Sequence, residues 1–427
     1  MNGKFLTYIF ILLAFKSAFS LSLDEAIKLA KHQNPSILKA KNSIKIAKEK
    51  HYQSIASKFG EVDLSASTSK FNTPRLLIPF APTLPLTPSK IPPSAYNITT
   101  ASISYTLPVF TGFRLLKNIK ITDLSKEIAK DTYHLTKRQI IFNVYSIYLT
   151  GLTLKKELQA EEKRYEALHK LYEDVSLGVK IGKFAPVDLM KVQYELELTK
   201  ASIKTIKEQI KSTKGALNSL TGIDNTNWHF EPVNIPGKKF PPLDKLYEIA
   251  IKNRYELKLV KSQENIAKEK LFIAKSSYLP DIYFNYTYQK IMGGGAEEPQ
   301  WSYSLYASMP IFDFGKRYFD IISSNEEYLN TKEDYKQTLF DIKKQVLDAY
   351  TKLQSARANL LASYKAESYA EEVMRIEELK YKTGAGDMYD TLIAISNFFN
   401  SLANVYKNKY QVMLMEKYLE YTLGEKL

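Results

Sequence analysis

Residues 107–112 read Leu107-Pro108-Val109-Phe110-Thr111-Gly112, and residues 309–314 read Met309-Pro310-Ile311-Phe312-Asp313-Phe314. Each of these hexapeptides closes a run that alternates apolar and polar residues with period two. Ahead of the first, Ala101, Ile103, Tyr105 and Leu107 alternate with Ser102, Ser104 and Thr106. Ahead of the second, Trp301, Tyr303, Leu305, Ala307 and Met309 alternate with Ser302, Ser304, Tyr306 and Ser308. Two more runs of this kind lie upstream, one carrying Val62, Leu64 and Ala66, the other Ile282, Phe284, Tyr286 and Tyr288. Alternation of period two specifies a strand with one apolar face and one polar face. A run of about ten residues is also the length at which a β-strand crosses a bilayer. Strands are therefore expected over 60–71, 98–109, 281–291 and 300–310. Aromatic residues gather at one end of them (Phe59, Phe110, Tyr278, Phe312 and Phe314), where an interfacial girdle would lie.

The two hexapeptides are 202 residues apart, and so are Gly182 and Gly384, Asp188 and Asp390, and Gly222 and Gly424. Upstream the spacing widens to 220, as between Leu23 and Leu243 or Val62 and Ile282. The chain is thus a tandem duplication. The difference between the two spacings fits one longer loop in the first copy, the stretch 72–97, which holds seven of the seventeen prolines. Pro fixes φ and removes a donor, so this loop reads as a stiff irregular segment at the outer rim.

Each copy reads helix, strand, strand, long helix, shorter helix. The first repeat spans 21–222, with helices at 22–58, 115–177 and 187–220. The second spans 243–427, with helices at 243–276, 316–381 and 388–422, and 223–242 connects the two. Ser22 and Glu25 make a capping-box pattern ahead of Leu23, Ala26, Ile27 and Ala30 at helical spacing. The long helices contain no Pro and reach roughly 95 Å at about 1.5 Å per residue. Two shorter helices end to end match one long one, which describes an elongated helical cylinder.

Composition narrows the function. The chain of 427 residues has no Cys, which removes disulfide frameworks, Cys-ligated metals and thiol catalysis. Lys4, the apolar stretch from Phe5 to Phe15 and the small residues Ala18 and Ser20 read as a signal peptide over 1–20, cleaved after Ser20. The stretch is shorter than the roughly 20 apolar residues of a membrane-spanning helix. The net charge of +14 comes from Lys spread among Glu along helix faces, so it indicates solvated helices and no nucleic acid. The five His are scattered, and neither a His-Glu-x-x-His pair nor a Gly-x-Ser-x-Gly elbow occurs. Gly178 to Phe184 imitates a phosphate loop but is one residue short and has Phe at the Mg²⁺-binding position. No enzyme activity and no cofactor are expected.

Four amphipathic strands cannot close a barrel, and an open edge in lipid leaves backbone groups unpaired at several kcal/mol each. Eight strands from two chains would be filled by side chains, whereas twelve from three begin to leave a lumen. A conduit favours three copies.

Ser22-Leu23-Asp24-Glu25-Ala26 with Asn34-Pro35, the Pro108–Arg114 run, the Pro310–Asp313 run and the two Gly-x5-Asp turns together resemble the TolC-like outer-membrane efflux proteins. That resemblance covers the whole chain after the signal peptide. It implies a mainly α fold with β: a homotrimeric 12-stranded outer-membrane barrel, four strands per chain, continuous with a long periplasmic α-helical barrel. It also implies a passive duct in the outer membrane, docked on a periplasmic adaptor (membrane fusion) protein and an inner-membrane pump of RND or ABC type.

By position the resemblance places Asp390 on an acidic ring at a periplasmic gate. It makes Tyr381 and Asp188 groups that tie neighbouring helices together. The chain departs from the pattern at Ile393, where some members carry a second acid, and at Gly386, where a basic residue often stands. The turns at 178–186 and 382–387, with Lys180, Gly182, Lys183, Lys382 and Gly384, become adaptor-facing tips. Read without the resemblance, Asp188 and Asp390 are also carboxylates in the first turn of a helix, each stabilising by about 0.3–1 kcal/mol. Both roles stay open at this level. So does the alternative of an exported coiled-coil spacer or adhesin, which would conduct no ions.

Overall fold

The computed structural model describes residues 19–78, 93–234 and 237–425. The expected signal peptide up to residue 18 and most of the Pro-rich loop, 79–92, lie outside the described residues. In chain order the elements are β1 (Phe19–Leu21), α1 (Leu23–Gln33), α2 (Pro35–Ala56), β2 (Glu61–Leu76), β3 (Ser94–Thr111), α3 (Arg114–Lys180) and α4 (Pro186–Thr221). There follow β4 (Trp228–Phe230), α5 (Leu243–Asn253), α6 (Tyr255–Ser276), β5 (Asp281–Gly293), β6 (Ala296–Ser308), α7 (Lys316–Thr383) and α8 (Met388–Thr422). No described helix is long and apolar enough to cross a membrane.

The chain forms two compact units. One is built from Asn42–Lys130 and Lys258–Lys336 and contains the four-stranded sheet. The other draws on residues up to Lys41, Asp131–Leu257 and those from Gln337 onward.

In the first unit the sheet order is β2-β3-β5-β6, antiparallel throughout, so β2 and β6 are its edges. Strands β2, β3 and β5 run beyond the expected limits, and β6 is displaced, starting at Ala296 and ending at Ser308 where 300–310 is expected; at the two edges, prolines lie inside the strands. Pro74 sits in β2 beside a register shift between Lys70 and Arg75, a place where an edge strand tolerates a missing donor. Pro299 occupies the other edge, β6, and Pro108 lies at the bulge in β3. The polar face is knitted by side chains. Ser65 meets Ser102 at 2.7 Å, Asn285 donates to Thr106 at 3.0 Å, and Gln289 donates to Gln300 at 3.2 Å. The opposite face carries Val62, Leu64, Trp301, Tyr303 and Leu305, all more than 60% exposed. No described residue of the unit covers these side chains.

The second unit has a conventional core. Leu21, Leu23, Ala26, Ile27 and Ala30 pack with Val144, Tyr148, Leu152, Leu217, Trp228 and Phe230. The Ser22–Glu25 capping box is formed, with Ser22 Oγ accepting from the Glu25 amide at 3.2 Å.

Two expected helices are each split. The segment 22–58 breaks at Asn34, because a residue before Pro is pushed out of the α region. The buried Asn34 side chain then donates to the Leu220 carbonyl at 3.1 Å and accepts from the Ser36 amide at 3.0 Å. The segment 243–276 breaks at Arg254, with ψ 123° and no proline. Here a guanidinium only 4% exposed supplies the reason. Arg254 donates to the Thr422 carbonyl at 3.0 Å and to Gln345 Oε1 at 2.8 Å. The connecting segment 223–242 is likewise more than a tether, since β4 pairs in parallel with β1 in the register Leu21↔Phe230.

Candidate functional site

Both long helices end in the same turn. The amide of Lys183 donates to the Gly178 carbonyl at 2.8 Å and that of Gly182 to Val179 at 3.1 Å. Exactly parallel bonds would be expected 202 residues on, and they are present: Ala385 to Lys380 at 2.9 Å and Gly384 to Tyr381 at 3.1 Å. This double bond pattern closes a helix through a left-handed residue. Gly182 (φ 74°) and Gly384 (φ 81°) supply it without a Cβ penalty. The following helix starts with Pro186 in the first repeat and is capped by Asp387 in the second, whose carboxylate accepts from the Tyr389 amide at 2.6 Å.

The two turns share one apolar cluster. Tyr381 is 5% exposed and stacks on Phe184, with ring centroids 4.8 Å apart and planes 20° from parallel. Val175, Val192, Leu196, Met388, Leu392 and Phe399 complete the packing. Phe184 fits because residue 178 is glycine: a Cβ there would lie 2.0 Å from its ring. Gly386 has the mirror-image role, since a Cβ would come 2.8 Å from Lys380 Cβ. A side chain at position 386 would therefore require the end of α7 at Lys380 and Tyr381 to give way.

Of the expected gate residues, the structure brings Tyr381 and Asp188 together and leaves Asp390 and Ile393 facing outward. Burial, then the negative charge of Asp188 and the approach of the phenol O–H to its carboxylate, and last the charge of Asp387, push the Tyr381 phenol up to about 12. Its hydroxyl is nevertheless buried without a hydrogen bond of normal geometry. Lys191 lies between the two carboxylates, 3.2 Å from Asp188 and 3.9 Å from Asp387. Asp390 and Ile393 are exposed on α8, and Asp390 has no ion pair among the described residues. Ile393 contributes instead to an open groove of about 460 Å³ between α4 and α8, lined also by Val187, Met190, Tyr194, Tyr389 and Leu392.

At the expected tips, Lys180, Lys183 and Lys382 are all exposed. Lys183 Nζ donates to the Lys382 carbonyl at 3.3 Å, so it clasps one turn to the other. Sequence reading names Phe184 only as the residue that spoils a phosphate loop, and does not name Lys191. Phe184 shows itself only as the bulky partner of a glycine six residues earlier, and Lys191 only as the base one turn after Asp188. The aromatic set at the strand ends lies in the sheet-bearing unit. Phe59, Phe312, Phe314 and Tyr278 are exposed there and Phe110 half-buried. Arg317 covers Tyr278 at 4.5 Å while pairing with Asp313 at 2.7 Å.

The fold has close counterparts. The outer membrane channel CmeC of Campylobacter jejuni superposes with a TM-score of 0.80 at 16% identity, over 94% of this chain and 85% of that one. VceC of Vibrio cholerae gives 0.77 at 16% identity over 94% and 96%. The open-state channel MtrE of Neisseria gonorrhoeae gives 0.74 at 14% identity over 100% and 98%. Among curated proteins no sequence relative matches the chain. The family model of the outer membrane efflux protein matches twice, over residues 26–223 and 246–425, one match per repeat. The chain belongs to the outer membrane efflux protein family.

Proposed function

We propose that three copies of this chain form the outer-membrane exit duct of a tripartite efflux or type I secretion system. In this reading the three sheets close a 12-stranded barrel. Substrates enter it from a periplasmic adaptor and an inner-membrane RND or ABC pump, which supplies the energy. One observation carries the reading: a four-stranded sheet whose apolar face is exposed and whose polar face is hydrogen-bonded through hydroxyls and amides. In water such a face would drive aggregation, whereas in hydrocarbon it is the solvated face. The likeness to CmeC, VceC and MtrE supports a channel over a spacer.

At the tips, Asp390 and Ile393 project from α8 with no ion pair or hydrogen bond among the described residues. In a trimer they would present an acidic ring and an apolar ring to the lumen, and Asp188 with Tyr381 would hold the adjoining turns. The purified protein should therefore conduct ions in planar bilayers, and Asp390→Ala should change how conductance responds to acid. A protein that never conducts would be the spacer; identical pH profiles would remove Asp390 from the gate.

The lysine-bearing turns are proposed as the adaptor contacts. Lys180→Glu with Lys382→Glu should weaken adaptor cross-linking at least several-fold with no loss of folded protein, because both side chains are exposed. Unchanged cross-linking would place the contact elsewhere.

A further inference from the structure

The two hairpins obey one register. Glu61 pairs with Thr106 in the first and Asp281 with Ser308 in the second. The repeat spacings of 220 and 202 residues carry the first pair onto the second. Within the chain, β3 and β5 join the hairpins, pairing Tyr105 with Tyr286, Leu107 with Phe284 and Thr111 with Asp281. Applying the same spacings to that seam gives one that a single chain cannot make, β6 against β2. Tyr105↔Tyr286 becomes Ala307↔Ala66, Leu107↔Phe284 becomes Met309↔Leu64, and Thr111↔Asp281 becomes Asp313↔Glu61.

The two free edges carry the marks of this missing seam. Strand β3 continues past Thr106, its last partner on β2, to Thr111, held by β5 alone. Strand β6 stops at Ser308, its last partner on β5. The equivalents of 107–111, Met309 to Asp313, follow without any partner strand, and Ile311 is 89% exposed. What β6 lacks is the strand that β5 provides to β3.

Charge agrees with strand order. The internal seam is closed by Arg114 and Asp281 at 2.5 Å. Their repeat equivalents are Lys316 and Glu61, again a cation and a carboxylate. Both are exposed, and neither has an ion pair among the described residues. Facing also agrees: Leu64, Ala66, Ala307 and Met309 all belong to the apolar face, and Ser65 would meet Ser308 on the polar one. A slip of one residue would turn every apolar side chain into the lumen.

We infer that β6 of one chain pairs with β2 of a second copy in the register Ala307↔Ala66 and Met309↔Leu64, closed by an ion pair between Lys316 and Glu61. The inference rests on the trimeric duct proposed above and fixes how its chains join. The full chain has no cysteine, so introduced pairs report single contacts. In protein extracted from the outer membrane, oxidised Ala66→Cys/Ala307→Cys should run as a covalent ladder up to trimer that a thiol reductant collapses. Facing residues in an antiparallel pair lie within disulfide reach. In Ala66→Cys/Leu305→Cys the partner is displaced by about 7 Å along the strand, and linking should fall at least tenfold. Glu61→Lys should lower trimer recovery, and Glu61→Lys/Lys316→Glu should restore it. A ladder from the shifted pair in place of the matched one, or a charge swap no better than Glu61→Lys alone, overturns the register. Failure of an amine-reactive cross-linker to capture any trimer of the unsubstituted protein overturns the duct reading itself.

Discussion

Trp228→Ala is expected to destabilise the helical unit by about 3–5 kcal/mol, the range for emptying a buried aromatic site. Trp228 is fully buried, and its indole N–H donates to Asn218 Oδ1 at 3.1 Å. Its ring meets Phe230 edge-on at 4.8 Å, and Phe230 meets Tyr148 edge-on at 5.2 Å. Such edge contacts add about 0.5–1.5 kcal/mol beyond area burial. Phe230 in turn occupies the space over Gly151, where a Cβ would lie 2.1 Å from its ring. The Tyr148 hydroxyl donates to the Leu21 carbonyl at 2.7 Å and accepts from the Glu231 amide at 3.0 Å, so it ties β1 and β4 to α3. Losing the indole leaves Asn218 Oδ1 without its donor and removes a principal anchor of β4 and the residues that flank it. The denaturation midpoint of detergent-solubilised protein, followed by far-UV circular dichroism, should drop accordingly, and protease should cut between α4 and α5. Trp228→Phe should lose markedly less. A midpoint unmoved by the alanine substitution would mean that the segment is not docked as described.

That segment is also where the sequence was least informative. Trp228-His229-Phe230 is too short to show a period, and its strand partner lies more than 200 residues away, with Phe19 and Ser20 inside the expected signal peptide 1–20 and only Leu21 beyond it. The duplication, by contrast, was legible because it rests on turn glycines and a Pro-x-Phe hexapeptide, which tolerate few replacements at a left-handed turn or a bulge. Where the repeats solve one problem with different chemistry, the signal vanished. Asn34 and Arg254 are repeat equivalents, and each breaks a helix to reach the carbonyl at the end of the repeat's last helix, Leu220 or Thr422. Only the first is announced by a proline. Likewise, the close approach at the turn is made by Gly178 under Phe184 in one copy and by Gly386 against Lys380 in the other. The glycine has changed sides, so neither copy predicts its partner. The end of β2 and the start of β6 were missed for a simpler reason: as edge strands they accept Pro74 and Pro299, where the alternation breaks off.

Tyr381 offers the sharpest test of what holds the tip, because its ring and its hydroxyl make opposite predictions. The ring stacks on Phe184 inside the cluster of Val175, Val192, Leu196 and Leu392, so Tyr381→Ala should cost about 3–5 kcal/mol. On the proposed duct, that loss separates the two turns and raises single-channel conductance. The hydroxyl is buried without a normal hydrogen bond, a state that costs roughly 1–3 kcal/mol. Tyr381→Phe should therefore leave the tip as tight as before, or tighter. The resemblance to TolC-like proteins makes Tyr381 and Asp188 groups that tie neighbouring helices together, and a tie made through the Tyr381 hydroxyl predicts the reverse. Alkali separates the two roles further. The phenol sits at about 12, above its ordinary value of about 10, raised by burial and then by Asp188 and Asp387. The folded tip thus holds the proton more tightly than the unfolded chain does. Its contribution is intact below about pH 10 and is lost as pH rises through 12. Conductance should climb over that window in the natural sequence and stay flat in Tyr381→Phe. Asp188→Asn removes part of the raising charge and should shift the climb to lower pH. A Tyr381→Phe channel as open as Tyr381→Ala at neutral pH would show that the hydroxyl, not the stacked ring, keeps the turns together.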